Sequence, residues 1–498
     1  MSTSFLITSC GVIFFLLFSI AHTSSSVVQK PGLVQSPLAK ARQDEVKKAF
    51  SSAFADYMKF GFPYDEVRPV TKRGKNSRNG WSATLVDSLD TLFVMGLTDE
   101  FENGILKTLK VDFSKSQTND NVSLFETTIR YLGGILSAYE LSGSKNKALL
   151  EQAQKLGNKL LIAWPDRRQN LPFPVLDFRG NKPVFDEAST AEILLAEAGS
   201  LILEFERLSY HTQDPKYLRQ AAKAMQAIMN SPSTFPGLPG FSLYVESQKM
   251  KRDLATWGGG ADSYYEYLLK YGILSGNRDE SYLNAWKLAV KTSKKHLIQV
   301  SPIHNLTYLA SYSSEQGGIR YEFSHLGCFA GGNWLLGGRV LKDLSTFELG
   351  LRLVETCMQT YKSTATGLGP ETFGFLGPHD GETPARRPNS EELKFFKKNG
   401  FYIKENSYSL RPEVVESAFY AWRLTGDTRY QDFVWDAFKS LQKHCKAPAS
   451  FSGIYDVNYL PAQLTDDSES FLYAELFKYI YLTFADPNLL SLDEYVFS

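Results

Sequence analysis

Four acids recur at equivalent places in this chain. Glu126, Glu197, Asp262 and Glu413 fall eleven to fifteen residues ahead of the turns at Leu141, Leu208, Leu274 and Leu424. Two of them have a guanidinium close by, Arg130 one helical turn after Glu126 and Arg411 two residues before Glu413. Paired carboxylates perform general acid–base work: one, its pKa raised, protonates a leaving oxygen while the other activates water or attacks directly. In a neutral, aromatic-rich chain this chemistry suits hydrolysis of a glycosidic bond. The separation of the two carboxyls decides inversion or retention, and sequence does not supply it.

Each acid also has a plainer reading. "SLFE" (123–126) is a capping box with Ser123 as N-cap and Glu126 at N3; Asp262, after a glycine run, suits an N-cap or first turn; Pro412 at N1 puts Glu413 where the helix dipole favours an acid. A capping acid needs no guanidinium, however. On a 3.6-residue helix Gly133 and Ser137 share the face of Glu126 and Arg130, and such small residues leave room for a ligand. Trp81, Trp257, Tyr264, Tyr265 and Phe471 are candidates for stacking on sugar faces, set against the usual role of such side chains as core. His325 in "FSHLGCFAGG" is the histidine with an informative setting, read either as a site residue or as a hydrogen-bonded structural one. No GxSxG elbow, HExxH or Walker loop is present.

The elements that must position these acids are helical hairpins. "AYELSGSKNKALLEQAQKL" (138–156), "FERLSYHTQDPKYLRQAAKAM" (205–225), "LLKYGILSGNRDESYLNAWKLAV" (268–290) and "AWRLTGDTRYQDFVWDAFKSL" (421–441) each read as a helix end, a turn and a new helix. Such units cannot bury their apolar faces alone, so they stack as a solenoid or a ring. "SFLYAELFKYIYLTF" (470–484), apolar all round, needs neighbours on every side and favours a closed all-α toroid. Equivalent helix starts then lie at one end of the ring, where the four acids converge. "TWGGGAD" and "FAGGNWLLGG" are expected to be loops.

A chain of 498 residues with 43% hydrophobic and 13% aromatic content buries a large core. Its 54 basic and 54 acidic residues balance and mix, which argues against nucleic acid as a partner. Residues 1–23 read as a secretory signal around the apolar run 5–20, with a signal anchor in the membrane as the alternative, and residues 24–40 as a flexible linker. In an oxidising lumen Cys328, Cys357 and Cys445 allow one disulfide and one free thiol, and the sequons at Asn121 and Asn305 are glycosylation candidates.

Six stretches together resemble glycoside hydrolase family 47, the class I α-1,2-mannosidases: "NGWSATLVDSLDTLFVMGL" (79–97), "LFETTIRYLGGILSAYELSG" (124–143), "WGGGADSYYEYLLK" (257–270), "FSHLGCFAGG" (323–332), "TGLGPE" (366–371) and "YSLRPEVVESAFYAWRLTGD" (408–427). The third is most similar to the secreted or Golgi-type fungal enzymes. The resemblance runs from about residue 45 to 497. It implies an (α/α)7 barrel over residues 41–498 and inverting removal of terminal α-1,2-mannose from high-mannose N-glycans in the secretory pathway, by a protein expected to be a monomer, secreted or held in the Golgi or endoplasmic reticulum. It implies Glu126 as acid, Glu413 as base, Asp262 as a third essential carboxylate or alternative acid, and Glu371 as a further active-site acid. Arg130, Glu197, His325, Arg411, Phe471 and Glu475 would line the sugar subsites, and Cys328 would pair with Cys357, leaving Cys445 free.

Two departures stand out. Gly260 replaces the arginine found in single-mannose-trimming relatives, so broader trimming is expected. The family also continues past "YVF" into a segment whose threonine binds calcium; this sequence stops at Ser498, so the resemblance implies a C-terminal truncation, an incomplete Ca²⁺ site and weak calcium binding, with Glu475 and its neighbours holding the ion through water. That loss favours the alternative of a weakly active or inactive, mannose-recognising homologue in glycoprotein quality control, whereas Glu126, Asp262 and Glu413 together favour the enzyme; the six motifs argue against an unrelated α/α-toroid hydrolase or a helical scaffold.

Overall fold

Short turns and long connections alternate along the chain. The computed structural model describes residues 27–166, 168–185, 191–377 and 388–497; the expected signal segment lies outside them. Among the described residues no helix is long and apolar enough to cross a membrane.

Among the described residues seven helical pairs make up the ring. The first, inner member is Ala83–Asp87 with Leu89–Val94, then Leu124–Leu141 in three segments, Leu195–Gly199 with Ile202–Thr212, Asp262–Leu274, Phe329–Val340, Glu413–Thr425, and finally Leu472–Leu476 with Phe477–Phe484. Their outer partners are Thr98–Thr108, Lys147–Leu160, Lys216–Met229, Glu280–His296, Leu344–Lys362, Arg429–His444 and, for the last, the N-terminal helix Pro37–Phe60. Each inner helix touches the next, and Leu472–Leu476 touches both segments of the first, which closes the ring. This is the (α/α)7 barrel expected.

Burial separates the two layers. In Lys147–Leu160 the buried residues Leu149, Gln152, Ala153, Leu156, Gly157 and Leu160 form one stripe, whereas Val414 through Leu424 of an inner helix are all buried. "FAGGNWLLGG" is not a loop but most of the inner helix Phe329–Val340. Its glycines let neighbours approach: a Cβ on Gly331 would lie 2.8 Å from Val354, and one on Gly338 would lie 2.7 Å from the Phe347 amide nitrogen.

Inner-to-outer turns lie at one end of the barrel and the long outer-to-inner connections at the other. Among the described residues three two-stranded and three three-stranded antiparallel sheets occupy those connections, the latter being Val122–Ser123 with Val175–Asp177 and Lys182–Pro183, Glu192–Leu194 with Ser242–Tyr244 and Met250–Arg252, and Glu322–Ser324 with Thr372–Gly374 and Tyr402–Glu405. Strands of two to four residues explain the sparse alternation in the sequence.

Helix Pro37–Phe60 begins inside the segment read as a linker, where Ser36 Oγ accepts the Ala39 amide at 3.1 Å. The residues before it are held too. Val28 and Gln29 amides donate to Asp493 Oδ1 at 2.6 and 3.2 Å, and the Lys30 amide donates to Arg423 O at 2.9 Å. Cys328 and Cys357 form the disulfide, with Cα atoms 6.0 Å apart, and Cys445 is a buried free thiol whose pKa burial pushes up. Asn121 and Asn305 are both exposed.

Candidate active site

The three-stranded sheets hand the chain directly to site residues. Ser123 ends one strand and accepts the Glu126 amide at 3.3 Å; Leu194 ends another, and its amide donates to Glu197 Oε2 at 3.0 Å; Ser324 ends the third and is followed by His325. Only half of the expected capping box forms at Glu126, because its carboxylate turns to Arg130 Nε at 2.6 Å and Arg78 Nε at 3.3 Å. Burial raises the Glu126 pKa, but Arg130 and Arg78 overcome it and hold the group below its ordinary value. Arg130 also donates to Ser470 Oγ at 2.9 Å and lies 3.6 Å from Asp87 Oδ2.

The segment after Glu126 is not the regular 3.6-residue helix expected. Thr127–Leu132 is a π-helix, and so is Leu472–Leu476, which carries Glu475. Both wide turns lie at the site, where such bulges re-aim side chains. Phe471 sits between the halves: the Arg130 guanidinium carbon is 5.7 Å from its ring centre and that of Arg411 5.9 Å.

Glu413 begins the helix Glu413–Thr425, with Pro412 as its N-cap rather than N1. His325 Nδ1 lies 2.7 Å from Glu413 Oε2, and Nε2 faces the Tyr361 hydroxyl at 2.8 Å. An ionised carboxylate only accepts, so Nδ1 carries the hydrogen. Burial raises the Glu413 pKa, yet the His325 contact and Arg411 bring it below the ordinary value. Glu371 is fixed by Arg411 Nε on one oxygen and the Ser409 amide, 2.9 Å away, on the other. Its backbone carbonyl accepts the His325 amide at 2.9 Å.

Asp262 behaves oppositely. It opens the helix Asp262–Leu274, and among the described residues its side chain accepts from Ser263, whose amide donates at 2.8 Å and hydroxyl at 3.5 Å. Burial, reinforced by Glu266 and Glu413, pushes its pKa up to about 7. Glu475 is pushed up to about 8 by burial and by Glu413, Asp87 and Glu266, and Glu197 is raised by burial and by Glu126. These effects pair Glu197 with Glu126 and group Asp262 and Glu475 around Glu413, and Arg130, which acts on both Glu126 and Glu475, joins the two sets.

Trp81, Trp257, Tyr264 and Tyr265 take no part in it. All are at most 1% exposed and pack in the core, Trp257 stacked on Tyr265 at 4.2 Å, so their expected stacking on sugars is corrected. Phe471 alone of that group remains partly exposed. A cavity of about 420 Å³ lined by Phe54, Met58, Leu97 and Glu100 belongs to the outer layer, away from these acids.

Sequence reasoning missed Arg78, Asp87, Glu266, Lys270, Glu416 and Tyr361. Glu266 follows Asp262 by four residues and Glu416 follows Glu413 by three, a helical-face signal that was available. Both are deeper in the barrel, where Lys270 Nζ pairs with Glu266 and stands 3.9 Å from Glu416 Oε1. Burial raises Glu416 well above its usual pKa despite Lys270, with Glu266, Glu475 and Glu413 adding to the rise. Such a crowd of carboxyls fits a hard cation, the calcium that family resemblance implies. Among the described residues no group of three His, Cys, Asp or Glu side chains is placed to hold a metal ion directly.

Comparison with known proteins agrees with this arrangement. The profile of glycosyl hydrolase family 47 matches residues 49–498. The chain is 39% identical to the mannosyl-oligosaccharide α-1,2-mannosidase 1B of Aspergillus oryzae, over 94% of this chain and 92% of that one. It is also 39% identical to the mannosyl-oligosaccharide α-1,2-mannosidase of Penicillium citrinum, over 90% and 87%. The solved α-1,2-mannosidase from Trichoderma reesei superposes with a TM-score of 0.84 at 35% identity, covering 91% of this chain and 94% of that one. Ring closure, acids gathered at the inner helix starts and these matches lead to one statement: the chain belongs to glycosyl hydrolase family 47.

Proposed function

We propose that the protein hydrolyses terminal α-1,2-linked mannose from high-mannose N-glycans, with inversion, as a monomer in the secretory pathway. The observation that carries this reading is that Asp262 and Glu413 each open an inner helix at one end of the barrel, with Glu413 held by His325 Nδ1 at 2.7 Å; burial raises the first carboxyl while His325 and Arg411 lower the second. Neutral at mildly acidic pH, Asp262 has a proton for the departing glycosidic oxygen. Glu413, kept ionised by His325 and Arg411, takes a proton from the attacking water. Environments that push two carboxyls apart assign acid and base, and on that ground Asp262 is a better donor than Glu126, which Arg130 and Arg78 keep charged.

Arg130, Arg411 and Phe471 form a rim suited to hydroxyls and one sugar face, with Glu197, Glu371 and Glu475 as acceptors. Glu266, Glu416 and Glu475 would hold calcium through its waters, and the ion would supply positive charge to offset their repulsion and to orient sugar hydroxyls. Inversion rests on the family resemblance, and the secretory setting on the fungal relatives, the apolar run at 5–20 and the exposed Asn121 and Asn305.

Gly260 supports broad trimming. Its φ is +86° and a Cβ would lie 2.6 Å from Phe241 Cζ, so this backbone position admits no side chain as it stands. The test is digestion of a nine-mannose N-glycan with calcium and with chelator, reading products and anomer. Release of several β-mannose units supports the proposal; binding without release would support the glycan-recognising alternative, and neither would defeat both.

A further inference from the structure

We propose that the tip of the loop 453–467 is a second carbohydrate-contacting platform that holds the outer part of the branched glycan whose terminal mannose occupies the site; this rests on the proposed function. Three large side chains are exposed together there, Tyr455 at 61%, Tyr459 at 52% and Leu460 at 51%. Exposed tyrosines with free ring faces suit neutral sugars, because the ring stacks on C–H faces while the hydroxyl stays in water.

The tip is rigidly built rather than trailing. The Thr465 amide donates to Gly453 O at 2.9 Å and the Tyr455 amide to Gln463 O at 3.0 Å, making a hairpin closed by an Asp456 turn in which the Asn458 amide donates to Asp456 Oδ1 at 2.7 Å. Two tyrosines on an ordered hairpin cost little conformational entropy when a ligand stacks on them.

Its placement links it to the reacting end. Ile454 pairs with Tyr408, and the Val457 amide donates to Asn406 O at 2.9 Å. The next residue along, Ser409, holds Glu371, and Arg411 follows. On the other side Thr366 donates to Val457 O through its amide at 3.0 Å and its hydroxyl at 2.8 Å, at the start of the "TGLGPE" segment that ends in Glu371. Backbone dimensions keep the Tyr455 and Ser409 Cα atoms within about 13 Å, a span covered by a few linked hexoses. The base of the same hairpin leads through Glu469 and Ser470 to Phe471. The platform therefore lies on the connection that also forms the rim, at the barrel end where the acids gather. The carboxylates of the loop are already engaged within the chain, Asp456 by Asn406 Nδ2 at 3.0 Å, Asp466 by Thr71 Oγ1 at 2.7 Å and Asp467 by Lys75 Nζ at 2.6 Å, which leaves the aromatic rings as the exposed feature for a neutral partner.

The test measures binding separately from turnover. In calcium-containing buffer, the Glu413→Gln protein is titrated calorimetrically with a nine-mannose N-glycan and with α-1,2-mannobiose, with and without Tyr455→Ala plus Tyr459→Ala. The double substitution should weaken the large glycan about three- to tenfold and leave the disaccharide unchanged, and Tyr455→Phe plus Tyr459→Phe should restore the parent affinity. An unchanged Kd for the large glycan, an equal loss for both ligands, or no binding of the large glycan by the parent would overturn the platform. Hydrolysis by the unmodified protein reports on the function itself, so the two failures are distinguishable.

Discussion

Asp262 and Glu413 open two inner helices, lie within electrostatic reach of each other, and have their carboxyls driven in opposite directions. Burial with too few donors lifts the first; a histidine and an arginine hold down the second. The pH–rate profile should therefore have an acidic limb below the usual glutamate value, from Glu413, and an alkaline limb near 7, from Asp262. Asp262→Asn should lower kcat about 10²- to 10⁴-fold and erase the alkaline limb, which steady-state kinetics across pH will show.

On the proposed mechanism His325 acts through Glu413. His325→Ala removes the donor at 2.7 Å, so the Glu413 pKa should rise and the acidic limb of kcat/KM should move to higher pH. A charge-assisted hydrogen bond of this kind is worth about ten- to a hundredfold in rate if it is lost. An unmoved acidic limb would separate His325 from the base.

Stability should fall from mildly acidic toward alkaline pH. Asp262 and Glu475 have folded pKa values of about 7 and about 8, above their unfolded values, so the folded chain binds protons that the unfolded chain has released. Their contribution is present below about 4 and is lost as pH rises through 7 to 8. Glu126 and Glu413, held low, work in reverse and lose their contribution in strong acid. Calorimetric Tm in chelator should thus peak between about pH 4.5 and 6. Calcium should raise it most at high pH, where Glu475 is charged, and Glu475→Gln should blunt that response.

Two glycine substitutions should differ in sign. Gly338→Ala drives a Cβ to 2.7 Å from the Phe347 amide nitrogen and should cost about 1–3 kcal/mol in urea denaturation. At Gly133 the nearest atoms to a Cβ are 3.7 Å away, so Gly133→Ala should be neutral or stabilise by up to about 1 kcal/mol through helix propensity.

The ring and its acid-bearing end were legible because each hairpin repeats the same turn and puts an acid at the same remove from it. The π-turns were not, since Glu126 and Arg130 meet equally well across a wide turn or a regular one. Glycines at 331, 332, 337 and 338 read as a loop because their packing partners, Val354, Ser417, Trp286 and Phe347, belong to helices distant in sequence. Arg78 and Asp87 escaped for the same reason: each gains meaning only against Arg130 or Glu126 of the next hairpin. Trp81 and Trp257 show the converse, where aromatic content suggested a ligand and burial shows core.

The most direct test of the account is hydrolysis of a nine-mannose N-glycan by Glu413→Gln, with circular dichroism and Tm measured alongside. A charge-neutral, isosteric side chain keeps the contact with His325 but takes no proton from water. Mannose release should drop about 10²- to 10⁴-fold with the fold intact; release at the parent rate would contradict the assignment of Glu413 as the base and, with it, the paired-carboxyl chemistry proposed for this barrel.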